Sequence, residues 1–133
     1  MKSGCRSEEG MVPGAPLKVL IVDDDPYHLE IYAMLVRRAG YEPVPVVVRF
    51  EGAEFPQDGE MGLIVLDYKL NTFKTTEQLA RELKAQYQGA PILLLSDVWD
   101  LPVEMKAHVS AFVRKGEPDK LFDTLHRLLP LRE

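Results

Sequence analysis

With 133 residues, 46% of them hydrophobic, the chain has the length and apolar content for one domain with an ordinary core. The formal net charge is -5, and the 16 Lys and Arg residues are scattered, which argues against a nucleic-acid partner because a phosphate backbone demands a basic face. A single cysteine, Cys5, cannot form an intramolecular disulfide, no apolar run approaches the ~20 residues of a bilayer span, and the N-terminus lacks the apolar core of a signal peptide; the expectation is a soluble, cytoplasmic protein with no membrane contact.

Residues 1–16 are rich in Gly, Ser, Glu and Pro and read as a disordered leader, with Met11 an alternative start. The folded domain is expected to cover 17–130. It opens on Lys18 to Pro26, KVLIVDDDP, where Val19, Leu20, Ile21 and Val22 show no apolar/polar alternation and so read as a strand buried on both faces of a parallel sheet. Asp25 and Pro26 suit the N-cap and first position of a helix over Pro26 to Ala39, with Leu29, Tyr32, Leu35 or Val36, and Ala39 on one face and Gly40 as the stop. Tyr41 to Val48 reads as a second strand, which Pro43 and Pro45 place at a sheet edge. Between Arg49 and Met61, Gly52, Pro56 and Gly59 leave room for a helix of only a turn or two.

Leu63 to Leu66 repeats the solid aliphatic run and ends in Asp67. Thr75 or Thr76 can cap a helix to about Gln86 that turns Leu79, Leu83 and Tyr87 to one side. Ile92 to Leu95 is a further strand, ending at Ser96 and Asp97; Pro102 to His108 reads as a short helix, and Ala111 to Val113 as a short strand ending near Lys115. Pro118 to Leu129 closes the series as an amphipathic helix with Leu121, Phe122, Leu125, Leu128 and Leu129 inward. Alternating strands and helices imply an α/β doubly wound parallel sheet with right-handed crossovers, without internal repeats or a linker to a second module.

In open α/β sheets the ligand crevice lies outside the carboxyl ends of the strands. Asp23 and Asp24, Asp67, Ser96 and Lys115 all fall at such ends. Adjacent carboxylates at a buried strand end repel one another and are costly to desolvate, so they call for a cation. A hard divalent ion such as Mg²⁺, which takes oxygen ligands and commonly shares its site with a phosphate, suits this set. Ser96 can donate to a phosphoryl oxygen and Lys115 can neutralise another, the positioning and charge that phosphoryl transfer needs. His28, His108 and His126 are isolated from one another and from Cys5, which argues against zinc.

The segments IVDDDP, LIVLDYKL, PILLLSD and FVRKG, in this order and at near-usual spacing, resemble the response-regulator receiver domain, the CheY-like phosphoacceptor of two-component signalling. The resemblance covers Leu17 to about Leu129. It implies a flavodoxin-like five-stranded parallel sheet of order 2-1-3-4-5 with helices on both faces. It further implies that Asp67 accepts a phosphoryl group from a sensor histidine kinase or histidine phosphotransfer protein, with Mg²⁺ held by Asp23 (through water), Asp24, Asp67 and the backbone carbonyl of Lys69. Ser96 would move toward the phosphoryl group, Phe112 would follow as the aromatic switch residue, and Lys115 would pair with Asp67 or the phosphate. The domain would be a phosphoacceptor that assists its own phosphorylation and dephosphorylation rather than an enzyme. Its output would be contact with a downstream protein target, with a homodimer also allowed.

Four positions depart from the receiver pattern. Asn71 and Thr75 stand where the loop after the phosphoacceptor carries Pro and Gly, Gly116 replaces a proline after the lysine, and Asp97 adds a negative charge after Ser96, one that Lys69 is placed to pair with across the pocket mouth. Trp99 reads either as a binding anchor or as a cover for the pocket. Two other readings stand beside the phosphoacceptor. A degenerate receiver would keep the fold as an unphosphorylated interaction module. A haloacid-dehalogenase-type phosphatase would use Asp23 and Asp25 with Ser96 and Lys115, but needs a further acidic pair for which Glu117 and Asp119 are poor candidates, and leaves Asp67 without a role.

Overall fold

The computed structural model describes residues 17–57 and 60–131; the expected leader, with Cys5 and Met11, lies outside the described residues. Strands β1 (Lys18–Asp23), β2 (Glu42–Val47), β3 (Leu63–Asp67), β4 (Ile92–Ser96) and β5 (Ala111–Arg114) form one sheet, and helices α1 (Pro26–Arg38), α2 (Thr76–Gln86) and α3 (Pro118–Leu128) pack on it. The strands are parallel throughout, in the order β2-β1-β3-β4-β5 that the resemblance implies.

The solid aliphatic runs are explained by the two layers. Val19, Ile21, Val65, Leu93 and Val113 point to one face, where Leu29 and Val36 of α1 and Leu121 and Leu125 of α3 meet them. Leu20, Val22, Ile64, Leu66 and Leu94 point to the other, under Leu79, Ala80 and Leu83 of α2. Because a strand alternates its side chains between faces, a sheet covered on both sides needs apolar residues at every position.

At the edge, the Glu42 amide donates to the Leu17 carbonyl at 2.8 Å and the Val48 amide to the Asp23 carbonyl at 2.9 Å. Even-numbered residues of β2 therefore turn their amides toward β1. Pro43 and Pro45, at odd positions, face the open edge, where the missing donors break no ladder and discourage pairing with another chain.

One stretch differs from expectation, and another left open for a helix of a turn or two has none among the described residues. Pro102 to His108 forms only the 3-10 turn Val103–Met105, continued by a His108-to-Met105 bond. Met105 is fully buried there while Val103 and Glu104 are exposed, so a single anchor holds the turn and no apolar stripe exists to sustain an α-helix. Among the described residues between β2 and β3 there is no helix either; Arg49 and Gly52 close a tight turn, and Met61 returns the chain to the core.

Tyr41, buried just before β2, ties this side of the sheet to α3. Its hydroxyl donates toward the carbonyl of Leu125 at 3.1 Å, which also accepts the Leu129 amide, and lies against the carbonyl of Leu129 at the helix end. Tyr41→Phe keeps the packing and removes the donor, so it should lower the stability by about 1 kcal/mol, read from the urea midpoint at unchanged slope.

Candidate functional site

The register sets the site. Leu66 pairs with Val22, Asp67 with Leu95, and Ser96 with Arg114, so the polar residues that end β1, β3, β4 and β5 arrive at one edge of the sheet. Asp23, Asp67 and Ser96 are the last residues of their strands and are 2%, 4% and 1% exposed. Lys115 follows β5, its amide donating to the Ser96 carbonyl at 2.9 Å.

Local hydrogen bonds shape the acidic turn. Asp23 Oδ1 accepts the Asp25 amide at 3.1 Å, and Asp25 Oδ1 accepts the Tyr27 amide at 2.9 Å as the N-cap of α1. With Asp25 engaged as a cap, the phosphatase reading loses one of its two first-strand aspartates. Asp24 Oδ2 accepts the Asn71 amide at 2.8 Å, which joins the loop after β3 to the cluster.

Carboxylate oxygens of Asp23, Asp24 and Asp67 lie within 4.8 Å of one another. Burial pushes the Asp23 pKa up to about 6, with the Asp67 charge adding to it. Burial likewise raises the Asp67 pKa, opposed by the Lys115 ammonium. Lys115 Nζ stands 2.8 Å from Asp67 Oδ1; burial alone would depress the lysine, but the Asp67 contact outweighs it and its pKa is raised. The Lys115 ammonium is thus the partner of Asp67 Oδ1. Three clustered carboxylates facing one ammonium fit a hard divalent cation, whose ligands are oxygens and whose charge offsets their repulsion.

The other expected residues fall around this cluster. Ser96 Oγ accepts the Val98 amide at 3.2 Å. Phe112 is half-buried against the α2-side core and pairs with Leu94, two residues before Ser96. The side chain of Lys69 reaches Asp97 Oδ1 at 3.1 Å, both exposed at the rim, and this pairing holds the Asp97 carboxyl below its ordinary range. Gly116 has φ +85, a left-handed conformation that glycine adopts without strain. Beside the cluster opens a cavity of about 610 Å³ lined by Asp24, Tyr68, Lys69, Asn71, Thr76 and Glu104 among others. Trp99 does not line it: the ring is 78% exposed and lies 3.7 Å from the Arg114 guanidinium, so the pocket-cover reading fails.

Two participants escaped the sequence reading. His28 Nδ1 stands 3.8 Å from Asp23 Oδ2 and 3.6 Å from Asp25 Oδ2. Its signal was the i,i+3 spacing from Asp25. The Asn71 amide had none, because a backbone donor has no residue signature.

No protein-family model matches the sequence, and no curated protein matches it. Solved structures do. Chemotaxis protein CheY4 of Vibrio cholerae is 24% identical, with a TM-score of 0.68 over 86% of this chain and 100% of its own. A CheY-like receiver domain of Methanospirillum hungatei is 19% identical, with a TM-score of 0.71 over 86% of this chain and 94% of its own. The response regulator TrrA of Thermotoga maritima, solved in complex with Mg²⁺-BeF, is 20% identical, with a TM-score of 0.66 over 85% and 99%. The fold is that of CheY-like response-regulator receiver domains. Among the described residues no helix is long and apolar enough to cross a membrane.

The raised Asp23 pKa has a consequence for stability. Its folded value of about 6 lies above the ordinary 3.8, so protonated Asp23 contributes stability that is complete below 3.8 and lost as the pH rises through about 6. Asp23→Asn cannot ionise. In the absence of divalent cations its stability relative to wild type should increase across that window, read from urea midpoints at stepped pH; a constant difference would place the titration elsewhere.

Proposed function

We propose that the chain is a phosphoacceptor receiver: Asp67 takes a phosphoryl group from a phosphohistidine on a sensor histidine kinase or histidine phosphotransfer protein, and the phosphorylated form signals by contact with a downstream protein. The observation that carries this reading is Asp67 itself, a buried carboxylate set between Asp23, Asp24 and the Lys115 ammonium at the end of a central strand. A purely structural carboxylate at 4% exposure would not be set against two further carboxylates with one ammonium to offset them. The receiver fold of the similar structures supports the reading, and the Mg²⁺-BeF complex of the Thermotoga maritima protein supports a cation beside the acceptor.

In this reading an Asp67 oxygen forms a bond to phosphorus while the bond from phosphorus to the donor imidazole nitrogen breaks and the imidazole leaves with the electron pair. Asp24, Asp67, the Lys69 carbonyl and, through water, Asp23 would hold Mg²⁺, which would supply charge neutralisation for the carboxylates and phosphoryl oxygens. Lys115 pairs with a phosphoryl oxygen, released from Asp67 by the same step. Ser96 exchanges its Val98 contact for donation to the phosphoryl group, and Phe112, tied to Leu94 in the same ladder, follows the movement inward.

Incubation with acetyl phosphate and Mg²⁺ should add one phosphoryl mass, lost at alkaline pH as expected of an acyl phosphate. Asp67→Asn should abolish the gain. Labelling of Asp67→Asn at the wild-type rate would place the acceptor elsewhere, and an unlabelled wild type would leave the fold as an interaction module.

The rim pair gives a second expectation. Asp97 and Lys69 are exposed, so their contact is screened by water and salt. Asp97→Ala removes the negative partner and leaves the lysine charge to attract an anionic donor, so initial labelling at low salt should be several-fold faster, and the gain should fade as salt is added. An unchanged rate at low salt would make Asp97 a surface residue only.

A further inference from the structure

We propose that the irregular connection after β2 acts as a brace on the site, with Phe50 and Phe73 as positioning residues that hold the Asp24 carboxylate for a cation. The proposal rests on the reading of Asp23, Asp24 and Asp67 as a cation site. It gives a role to the stretch in which no helix forms.

The brace is built from successive short contacts. The Val48 amide on the Asp23 carbonyl carries the β1 pairing one residue past the end of β2. Arg49 and Gly52 then exchange two backbone hydrogen bonds of 2.9 and 3.0 Å, a turn in which Gly52 has φ +138. Phe50 sits within this turn. Its carbonyl accepts both the Thr72 hydroxyl at 3.1 Å and the Phe73 amide at 3.2 Å, which occupies both lone pairs. The two phenyl rings lie 6.1 Å apart at 51°, a tilted pair within the favourable range.

The residue just before this junction is Asn71, whose amide holds Asp24 Oδ2 at 2.8 Å. Three consecutive residues thus link the site to the turn: Asn71 reaches inward to the carboxylate while Thr72 and Phe73 reach outward to Phe50. Phe50, Asn71, Pro26 and Asp24 also line one cleft of about 190 Å³. A carboxylate tied at one oxygen by a neutral donor loses rotational freedom and keeps its other oxygen for a cation. That is preorganisation by supporting groups.

The rings themselves cannot ligate anything, and at 58% and 64% exposure Phe50 and Phe73 are not core residues. A brace explains why two large aromatic side chains are held together at the surface beside an acidic cluster.

The test compares wild type, Phe73→Ala, Phe73→Tyr and Thr72→Val by isothermal titration calorimetry with Mg²⁺ and by amide hydrogen exchange at Asn71. Phe73→Ala should weaken Mg²⁺ binding about two- to tenfold, the range an aromatic pair of this kind supplies. The Asn71 amide should exchange faster in the same variant, and Phe73→Tyr should restore both readings. Labelling by acetyl phosphate should need more Mg²⁺ but reach the wild-type rate at saturation. Should Phe73→Ala prove unstable, Thr72→Val, which removes one hydrogen bond and keeps the side-chain shape, carries the test. Wild-type Mg²⁺ binding and Asn71 exchange left unchanged by these substitutions would overturn the brace alone, whereas a wild type that takes up no Mg²⁺ would sink the cation-site reading and the proposal with it.

Discussion

The structure is organised around a repulsion. Asp23 and Asp67 are buried carboxylates on neighbouring strands, with Asp24 close enough to offer an oxygen to the same point. Desolvation and mutual charge both disfavour their ionised forms, and one ammonium, Lys115, opposes them from within the fold. The cluster therefore stores unfavourable electrostatic energy that a bound cation relieves. A parallel sheet is a means of imposing such an arrangement, because its strand ends lie side by side and the aliphatic strands behind them supply the burial free energy that offsets the cost.

That dependence runs outward through the connections. The turn 23–25 is closed by backbone amides on carboxylates, so the acidic residues help to start α1 as well as to form the site. The loop after β3 is fastened to Asp24 at Asn71 and to α2 by the Thr75 capping box, in which Thr75 and Gln78 satisfy each other's amides. On the far side, the stretch from Asp97 to Ser110 is joined to the loop after β3 and the start of α2 by Lys69 with Asp97, Tyr68 with Glu104, and Glu77 with His108 at 3.2 Å. The segment has little regular structure of its own. Side-chain contacts do there what a packed helix would otherwise do, and they converge on the loop that follows the central aspartate.

Among the described residues, the two stretches without α-helices share a cause. Helical stability in proteins comes mainly from an apolar face that packs, and neither 49–61 nor 97–110 has such a face. The first is interrupted by Gly52, Pro56 and Gly59, and the second offers Met105 as its fully buried anchor. The core on the α2 side is completed instead by Val48, Met61 and Met105, with Phe55, Leu101 and Val109 packed against it. An α/β sheet can thus close one face with irregular chain when a few well-placed apolar side chains suffice to exclude water.

What the sequence by itself determined was the part governed by local chemistry. Uninterrupted aliphatic runs gave the buried strands, Asp25-Pro26 and the pair Thr75 and Thr76 gave helix starts, two prolines gave the edge strand, and polar residues directly after the runs gave the candidate site, because each of these signals lies within a few consecutive positions. The tertiary structure alone decided what depends on distance across the fold. It replaced the predicted helix at 102–108 with a 3-10 turn, exposed Trp99 and set it against Arg114, brought His28 to Asp23, and used the Asn71 amide to hold Asp24. Register and burial decide these contacts: a one-residue shift between β1 and β3 would exchange which side chains meet across the two core layers and would separate Asp67 from Asp23 without changing a single local pattern.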